Sequence, residues 1–308
     1  MLRRVLLAAS RSPRLRELIV TAPATRAIVE SYVAGETADD AVRVTRGLRG
    51  SGLLVTLDYL GEYTTDQTQA AAVVDEYVNL LGKLGADGLS HGGAAEVSVK
   101  ATAVGLTLDT GLARENIARI CAAARDAGTT VTLDAEHYDV IEPTLRIASS
   151  LREEFPDLGC VIQAGLRRSE ADCRSLAGHG TRVRLCKGAY SEPESVAYVA
   201  RRDIDLSYAR CLRVLMNGSG YPMIASHDPR LIEITGSLAM LSGRAADSFE
   251  YQMLYGIRPA EQRRLANTGA GMRVYVPYGG DWYAYLVRRL AERPANLSLF
   301  LRSLGSKS

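Results

Sequence analysis

The run RVYVPYGGDWYAYLVRRLAE, residues 273–292, predicts a strand, a tight turn and a helix in succession. Tyr275 is expected to close a short strand of β-branched and aromatic residues. Gly279 and Gly280 then make the turn, and Asp281 can cap the helix by accepting a hydrogen bond from its first amides. The run is therefore one β/α unit of an α/β fold.

The same β/α unit recurs along the chain. Seven further short apolar runs, each followed by a helical stretch, begin at Leu53, Glu96, Thr130, Cys160, Arg182, Pro222 and Ser248. Eight strands alternating with helices over about 240 residues are what a closed (β/α)8 TIM-type barrel requires. A doubly wound open sheet is the alternative, but the chain lacks the glycine-rich phosphate loops typical of such sheets. We therefore predict the barrel.

The first 50 residues have a different character. They are predicted to be helical, with breaks at Pro13, Pro23 and Gly35, and with Thr37 placed to cap a helix. The sequence thus divides into an N-terminal helical segment, residues 1–50, and a barrel domain, residues 51–308.

Polar residues end nearly every candidate strand. Barrel enzymes gather their chemistry at the C-terminal ends of their strands, so the site is expected on that rim. The rim residues are Asp58, Lys100, Asp134, Gln163, Lys187, His227, Gln252 and Tyr275.

The predicted helix after residue 280 carries an unusual stripe. Tyr285, Arg288, Arg289 and Glu292 recur at helical spacing, where Leu or Val would be usual. Two adjacent arginines beside a tyrosine can bind a small carboxylate through charge-assisted hydrogen bonds. The alternative is a solvated helix face with an ordinary ion pair.

Single rim residues leave several chemistries open. Lys100 could be a Schiff-base lysine, a carboxylate anchor or half of an ion pair with Asp134. A lone His227 is more often a hydrogen-bonded wall residue than a ligand. Strand alternation aims Arg184 inward. Gly188 either lets the backbone approach a flat or phosphorylated ligand or lies in an ordinary loop.

Composition excludes several classes of protein. The 37 basic and 35 acidic residues leave a net charge of +2 and are mixed along the chain, which argues against a nucleic-acid partner. Five cysteines without a C-x-x-C pair indicate neither a disulfide framework nor a zinc site, and no metal is predicted. A reducing compartment is expected.

The N-terminus is rich in arginine and has no acidic residue before Glu17. A mitochondrial presequence would look similar. We favour the interpretation that this segment is retained as a basic amphipathic helix, which could touch an anionic membrane surface or cover the bottom of the fold. No apolar run approaches the length needed to span a bilayer.

Six motifs, in order, resemble the proline dehydrogenase family, found alone or as a domain of bifunctional proline utilisation A. They cover roughly residues 50–300 and read VSVK at 97–100, TLDAE at 132–136, RLCKGAY at 184–190, ASHD at 225–228, FEYQMLYG at 249–256, and RVYVP at 273–277 followed by YLVRRLAE at 285–292. Any one of these motifs would be weak, and their joint occurrence is specific.

The resemblance implies a distorted (β/α)8 barrel that binds FAD non-covalently. It implies oxidation of L-proline to Δ1-pyrroline-5-carboxylate by hydride transfer to the flavin, with quinone as electron acceptor, as the first step of proline catabolism to glutamate. The length suggests the monofunctional bacterial form, located in the cytoplasm, with a mitochondrial location as the alternative. Residues 1–20 or 296–308 could supply peripheral membrane contact, and the product could be channelled to a pyrroline-5-carboxylate dehydrogenase.

The resemblance also implies roles for individual residues. Lys100, Asp134, Tyr275, Arg288 and Arg289 would form the catalytic group. The proline ring and carboxylate would contact Lys100, Leu185, Ala189, Tyr190, Tyr275, Tyr285, Arg288 and Arg289. Glu62 would be a gate residue that pairs with an active-site arginine. The FAD contacts would be Asp134, Ala135, Gln163, Arg184, Lys187, Gly188, Ala189, Tyr190, Arg201, Ala225, Ser226, His227, Gln252, Leu254, Arg289 and Glu292.

Three positions depart from the family pattern. Ser226 stands where a threonine is frequent, which keeps the hydroxyl. Asp228 stands where an asparagine is frequent, which puts an acid near the adenylate, and Arg201 aligns with a frequent lysine, which keeps the charge. Two other function classes stay open at the level of the sequence. One is a Schiff-base lyase or aldolase that uses Lys100, and the other is a barrel that binds a small carboxylate as a sensor.

Overall fold

Eight parallel strands close into a barrel in sequence order. The structure, a computed structural model, describes residues 29–178, 180–283, 285 and 286. The last strand pairs with the first, so the sheet has no edge. The predicted (β/α)8 barrel is confirmed, and the open sheet is wrong. The strands are β1 Leu54–Tyr59, β2 Ala95–Val99, β3 Val131–Leu133, β4 Gly159–Gln163, β5 Arg182–Cys186, β6 Tyr221–Ala225, β7 Glu250–Leu254 and β8 Gly271–Tyr278.

Helices alternate with these strands and cover the barrel. None of the helices that the structure describes is long and apolar enough to cross a membrane. The helices are α1 Ala38–Gly50, α2 Gln67–Ala86, α3 Thr110–Asp126, α4 Tyr138–Leu151, α5 Ser169–Leu176, α6 Arg201–Asn217, α7 Pro229–Leu241 and α8 Pro259–Asn267, with short 3-10 turns at His91–Gly93 and Ala101–Val104.

Helix α1 begins at the predicted cap. The Thr37 side chain accepts a hydrogen bond from the Asp40 N–H at 3.2 Å, and the Asp40 carboxylate accepts one from the Thr37 N–H at 3.3 Å. Although α1 precedes the barrel in sequence, it packs against both β1 and β8. A helix from before the barrel therefore covers the seam where the barrel closes.

Residues 29–36, which we call the N-terminal strap, join this seam from the outside. The Ala34 N–H donates to the Pro277 carbonyl at 2.9 Å, and the Gly279 N–H donates to the Gly35 carbonyl at 3.0 Å. The strap packs in a hydrophobic cluster at the C-terminal ends of β1, β7 and β8. Its buried members are Tyr32, Val33, Leu60, Ile257, Trp282, Tyr283, Tyr285 and Leu286.

The strap lies directly on the turn after β7. Gly256 has a φ of 73°, and a Cβ atom at this position would lie 1.8 Å from the Ser31 carbonyl oxygen. Only glycine therefore allows the backbones of the strap and the turn to touch.

Two helices begin elsewhere than the sequence predicts. The helical pattern of the sequence after β3 predicts a start at Thr144, but α4 starts at Tyr138, because the proline at 143 removes only one hydrogen bond near the N-terminus of the helix. The pattern after β5 predicts a start at Ser195, but α6 starts at Arg201. The residues before it pair with the loop after β4, where the Tyr198 N–H donates to the Gly165 carbonyl at 2.8 Å.

Strand β8 is longer than predicted. It continues to Tyr278, three residues beyond Tyr275, because residues 273–278 all pair with β1. Tyr275 therefore lies inside a strand rather than at its end. The turn follows at Gly279, whose φ is 114°.

The N-terminal half of the barrel interior is filled by a buried ion network. Glu250 accepts from Arg273 Nε at 2.6 Å, and Glu96 accepts from Arg182 at 2.8 Å. Arg273 also lies 3.9 Å from Glu96. These four residues lie within the first three positions of their strands, so the network closes the bottom of the barrel and leaves the opposite end for a site.

Candidate active site

Lys100 lies at the C-terminal mouth of the barrel, immediately after β2. Its Nζ is 2.5 Å from an Asp58 oxygen and 3.5 Å from an Asp134 oxygen. The register explains the first contact: Asp58 of β1 pairs with Ser98 of β2, and Lys100 follows Ser98 by two residues on the same face. The ammonium is thus held between two carboxylates.

Asp134 connects the lysine to the other side of the barrel. Its Oδ2 accepts from the Tyr275 hydroxyl at 2.6 Å, and its Oδ1 accepts from Arg184 Nη1 and from the Ser98 hydroxyl, each at 2.9 Å. With Asp58, six side chains, from β1, β2, β5, β8 and the residues directly after β2 and β3, therefore form one hydrogen-bonded group. The sequence analysis predicted four of them as site residues or inward-facing residues: Lys100, Asp134, Arg184 and Tyr275.

The charges in this group perturb one another. Burial raises the pKa of Asp58 to about 6, although Lys100 pulls it down. For Asp134 burial also favours the protonated form, but Lys100 and Arg184 outweigh it and hold the pKa below its usual value. Burial alone would lower the pKa of Lys100, yet Asp58 and its neighbours raise it well above the ordinary value. The lysine is therefore a fixed ammonium ion.

Arg184 joins this group to the rim of β5 to β7. Its Nε donates to Gln252 Oε1 at 2.6 Å, and its guanidinium carbon lies 5.1 Å from the centre of the Tyr275 ring. Its Nη2 is buried and has no hydrogen-bond partner among the described residues, with Glu96 at 3.6 Å. This nitrogen therefore faces the ion network at the bottom of the barrel, and Nε and Nη1 make the contacts nearer the mouth.

The loop after β5 approaches the end of β4 closely. Gly188 has a φ of 104°, and a Cβ atom there would lie 3.1 Å from Gln163 Oε1. Gln163 in turn donates from Nε2 to the Glu136 carbonyl at 2.6 Å. Gly188 and Ala189 are exposed at the mouth, so the backbone here is open to a ligand.

Lys187 and the loop after β6 form the next part of the rim. Lys187 Nζ lies 2.5 Å from Asp205 and 3.1 Å from Asp228. The Asp228 carboxylate also accepts from the Arg230 N–H at 3.1 Å and so caps α7. Asp228, the acid that departs from the family pattern, is therefore paired with the cations Lys187 and Arg230.

His227 makes hydrogen bonds in the wall of the barrel mouth, which is the more common role of a lone histidine. Its Nε2 accepts from the Leu254 N–H at 3.0 Å, and its carbonyl accepts from Arg258 at 2.7 Å. Ala225 ends β6, and the Ser226 hydroxyl accepts from the Asp228 N–H at 3.1 Å. These contacts fix the end of β6 beside the end of β7.

Glu62 and Tyr190 meet across the mouth. The Tyr190 hydroxyl donates to Glu62 Oε1 at 3.3 Å, which joins the loop after β1 to the loop after β5. Tyr190 also packs against His137, with ring centres 4.3 Å apart and ring planes tilted by 53°. The gate residue that the resemblance implies is therefore at the mouth, in contact with an expected substrate residue.

Not every expected residue joins this group. Leu185 belongs to the main hydrophobic core and follows Arg184 in β5, so its side chain faces the helices rather than the barrel interior. Its expected contact with the substrate ring stays a prediction. Arg201 is exposed at the start of α6, and Tyr285 is buried beside Trp282 in the strap cluster. Arg288, Arg289 and Glu292 lie outside the described residues.

Asp58 was missed as a site residue, although it was noted as one of the polar strand ends. The sequence signal that could have identified it is the apolar run at residues 53–58, which ends in this single acidic residue at the rim. What the sequence did not reveal is that Asp58 is the nearer partner of Lys100. The expected partner, Asp134, lies 1.0 Å further from the ammonium (3.5 against 2.5 Å).

A parallel barrel with a buried ammonium ion, paired carboxylates and tyrosines at its C-terminal mouth belongs to the class of barrel enzymes that act on small molecules.

Comparisons with known proteins agree with this class. The sequence model for proline dehydrogenase matches residues 41–302. The chain is 38% identical over 307 residues to proline dehydrogenase 1 of Bacillus subtilis (strain 168), covering 100% of both chains. It is 35% identical over 282 residues to the proline dehydrogenase of Deinococcus radiodurans, covering 90% of each.

The structure of the chain also resembles a solved structure. Proline utilization A from Bdellovibrio bacteriovorus, inactivated by N-propargylglycine, superposes with a TM-score of 0.81 at 28% identity. The match covers 92% of this chain and 34% of that protein, so the chain spans about a third of its length. The chain belongs to the proline dehydrogenase family.

Proposed function

We propose that this chain catalyses the FAD-dependent oxidation of L-proline to Δ1-pyrroline-5-carboxylate and passes the electrons to quinone. Membership of the proline dehydrogenase family supports the substrate. The observation that carries the proposal is the Lys100 ammonium, held at the barrel mouth by Asp58 and Asp134. A cation fixed in this way is a receptor for the carboxylate of an amino acid.

The substrate carboxylate would be bound by Lys100 together with Arg288 and Arg289. Three cations on one carboxylate would hold the ring in a single pose, which hydride transfer requires. The two arginines are a proposal from the sequence alone, since they lie outside the described residues. The ring would be lined by Ala189, Tyr190, Tyr275 and Tyr285, and Glu62 would act as the gate.

The rim of β3 to β7 fits FAD. The exposed Gly188 backbone offers a close approach, because its left-handed conformation and the nearby Gln163 side chain leave little room for a Cβ atom. When bound, FAD would supply the redox chemistry by taking a hydride from C5 of proline while the amine loses a proton, which leaves the C=N bond of the product. The proposed contacts are Asp134, Ala135, Gln163, Arg184, Lys187, Gly188, Ala189, Tyr190, Arg201, Ala225, Ser226, His227, Gln252, Leu254, Arg289 and Glu292.

Asp134 would orient the site rather than take the amine proton. Its two oxygens already accept from Tyr275, Arg184 and Ser98, and its pKa is held below the usual value despite burial. A base needs the opposite property, an affinity for protons near the working pH. Solvent is therefore the proposed acceptor of the amine proton.

The state of Lys100 argues against the Schiff-base alternative. A lysine attacks a carbonyl as the neutral amine, whereas Asp58 and its neighbours raise the pKa of Lys100 well above its ordinary value despite burial. We therefore expect no adduct at Lys100 after borohydride reduction in the presence of a carbonyl compound.

The visible absorption spectrum of the purified protein, before and after anaerobic addition of L-proline, tests the proposal. We expect flavin bands that bleach with proline. A flavin that stays oxidised would overturn the substrate and keep the cofactor. A colourless protein that still binds proline after reconstitution with FAD would indicate a sensor instead.

Location and partners belong to the same proposal. Electron transfer to quinone would bring the chain to the cytoplasmic face of a membrane at least transiently, and its product could pass to a pyrroline-5-carboxylate dehydrogenase. Co-sedimentation with anionic liposomes measures the membrane contact. Equal binding by the whole chain and by chains without residues 1–20 or 296–308 would contradict a role for those segments.

A further inference from the structure

A second buried carboxylate lies close to the mouth, outside the group around Lys100. Glu136, in the loop after β3, is 1% exposed. Both of its oxygens face Thr102 in the short helix after β2. The Thr102 N–H donates to Oε1 at 3.1 Å, and the Thr102 hydroxyl donates to Oε2 in a short hydrogen bond.

Thr102 in turn holds the loop after β1, residues 60–66, which we call the gate loop. The Tyr63 N–H donates to the Thr102 hydroxyl at 3.2 Å. The Thr64 N–H and hydroxyl donate to the Thr102 carbonyl at 3.3 and 3.1 Å. Every polar group of Thr102 is thus used, and its hydroxyl gives its only hydrogen to Glu136 while accepting from Tyr63.

The gate loop needs this support because its backbone is strained. Tyr63 has a φ of 55° and is one of two non-glycine residues with positive φ among the described residues. Its ring is 40% exposed, so burial contributes little to holding it in place. Such a conformation persists only where surrounding contacts impose it.

The contact between Glu62 and Tyr190 depends on the same loop. Glu62 directly precedes Tyr63 and lies 3.3 Å from the Tyr190 hydroxyl. Glu136 is itself fixed from the other side, since its carbonyl accepts from Gln163 at 2.6 Å. A continuous path of hydrogen bonds therefore runs from the end of β4 through Glu136 and Thr102 to the gate loop.

We propose that Thr102 and Glu136 anchor the gate loop and are positioning residues for Glu62. They contact neither substrate nor cofactor in this role, and they set where the gate lies relative to Tyr190. The inference rests on the proposed function in one respect, because the gate role of Glu62 is part of that proposal.

Limited proteolysis of the holoenzyme tests the anchor without any assay of activity. Chymotrypsin can cut after the exposed Tyr63, and cleavage there reports how often the loop opens. Thr102→Val removes the hydroxyl at nearly constant shape, and we expect cleavage about fivefold faster, because the gate loop itself loses one hydrogen bond, that of the Tyr63 N–H. Thr102→Ser keeps the hydroxyl and should be cut at the rate of the unmodified chain.

Two further variants complete the proteolysis test. Thr235→Val removes another buried hydroxyl, bonded to the Leu231 carbonyl in α7, and should leave cleavage at Tyr63 unchanged. Glu136→Ala removes both side-chain partners of Thr102 and should reproduce Thr102→Val. It also tests the anchor if Thr102→Val does not fold. Equal cleavage rates in Thr102→Val, Glu136→Ala and the unmodified chain would overturn the anchor.

Kinetics then link the anchor to the gate. We expect Thr102→Val to raise the KM for L-proline about fivefold, with a smaller change in kcat and no loss of bound FAD, and Thr102→Ser to restore it. In a Glu62→Ala background the same substitution should have no further effect, because the residue it positions is gone. Additive effects in the double variant would contradict positioning through Glu62.

Failure of the anchor and failure of the proposed function give different results. A chain that does not oxidise proline but shows the expected cleavage rates would refute the function and keep the anchor. A chain that oxidises proline while Thr102→Val leaves both cleavage and KM unchanged would refute the anchor alone.

Discussion

At the scale of single residues, Lys100 shows how one side chain can serve both stability and binding. Its partner at 2.5 Å is Asp58, and Asp134 is shared with Tyr275 and Arg184. Removal of the lysine would leave Asp58 buried without a cation, which is costly in a medium of low polarity. A loss of activity alone would therefore not distinguish a binding role from a folding role.

A pair of variants separates the two roles. Lys100→Met should lower kcat/KM for L-proline by roughly 10- to 150-fold, the effect of losing one charged hydrogen bond of about 1.5–3 kcal/mol. It should also lower the free energy of unfolding by about 3–5 kcal/mol. Adding Asp58→Asn should restore most of the stability but not kcat/KM, as urea unfolding and steady-state kinetics can measure. Recovery of both quantities would show that the lysine is only structural.

The residues of the site were predictable to different degrees. Lys100 and Asp134 follow directly after their strands, and the barrel then brings them to one rim. The closeness of Asp58 to Lys100 was not predictable, because it depends on the register of β1 against β2. The bonds of Thr102 to Glu136 and to the gate loop were not predictable either, since they join three loops whose conformations local patterns leave undetermined.

At the scale of elements, the contact between the N-terminal strap and the turn at Gly256 can be tested with a matched pair of glycines. Gly256 and Gly269 both have positive φ, but a Cβ at 269 would meet nothing within 4 Å. Gly256→Ala should displace the strap and shift the emission of Trp282, the only tryptophan. Gly269→Ala should cost about 1 kcal/mol of stability with no shift. Identical emission from both variants would contradict the close contact.

Helix starts and strands were predicted well where the signal comes from residues that are neighbours in the sequence. Thr37 and Asp40 form the capping box that the residues at 37–40 suggested, and all eight strands lie within two residues of their expected starts. The strap was not predictable, because its hydrogen bonds reach residues such as Pro277 at the other end of the chain. The early start of α4 was also missed, since Pro143 is an ordinary signal for a helix start.

At the scale of the whole molecule, the ion network in the barrel makes stability depend on pH. Burial alone would raise the pKa of Glu96, but Arg273, Arg182 and Arg184 lower it to about 2, against 4.5 for an ordinary glutamate. Because the folded pKa is the lower one, this contribution is fully present above about pH 4.5 and is lost as the pH falls toward 2.

Glu96→Gln measures this contribution, since the variant lacks the charge at every pH. We expect the unmodified chain to exceed it in free energy of unfolding at pH 6, and the difference to shrink by on the order of 1 kcal/mol by pH 3.5. Urea unfolding at the two pH values gives the difference. A difference that stays constant or grows with acidity would mean that the arginines do not stabilise the charged form of Glu96.

The seam of the barrel also constrains how the protein is made. The strap and α1 are synthesised before the strands they cover, which include β8, and the hydrogen bond between Gly35 and Gly279 joins residues about 240 apart. At about 5–20 residues per second, synthesis of that interval takes roughly 12–50 s. During this time α1 can pack on β1 but lacks β8, its second partner strand. The nascent chain must therefore keep that uncovered apolar surface from aggregating until β8 has been made.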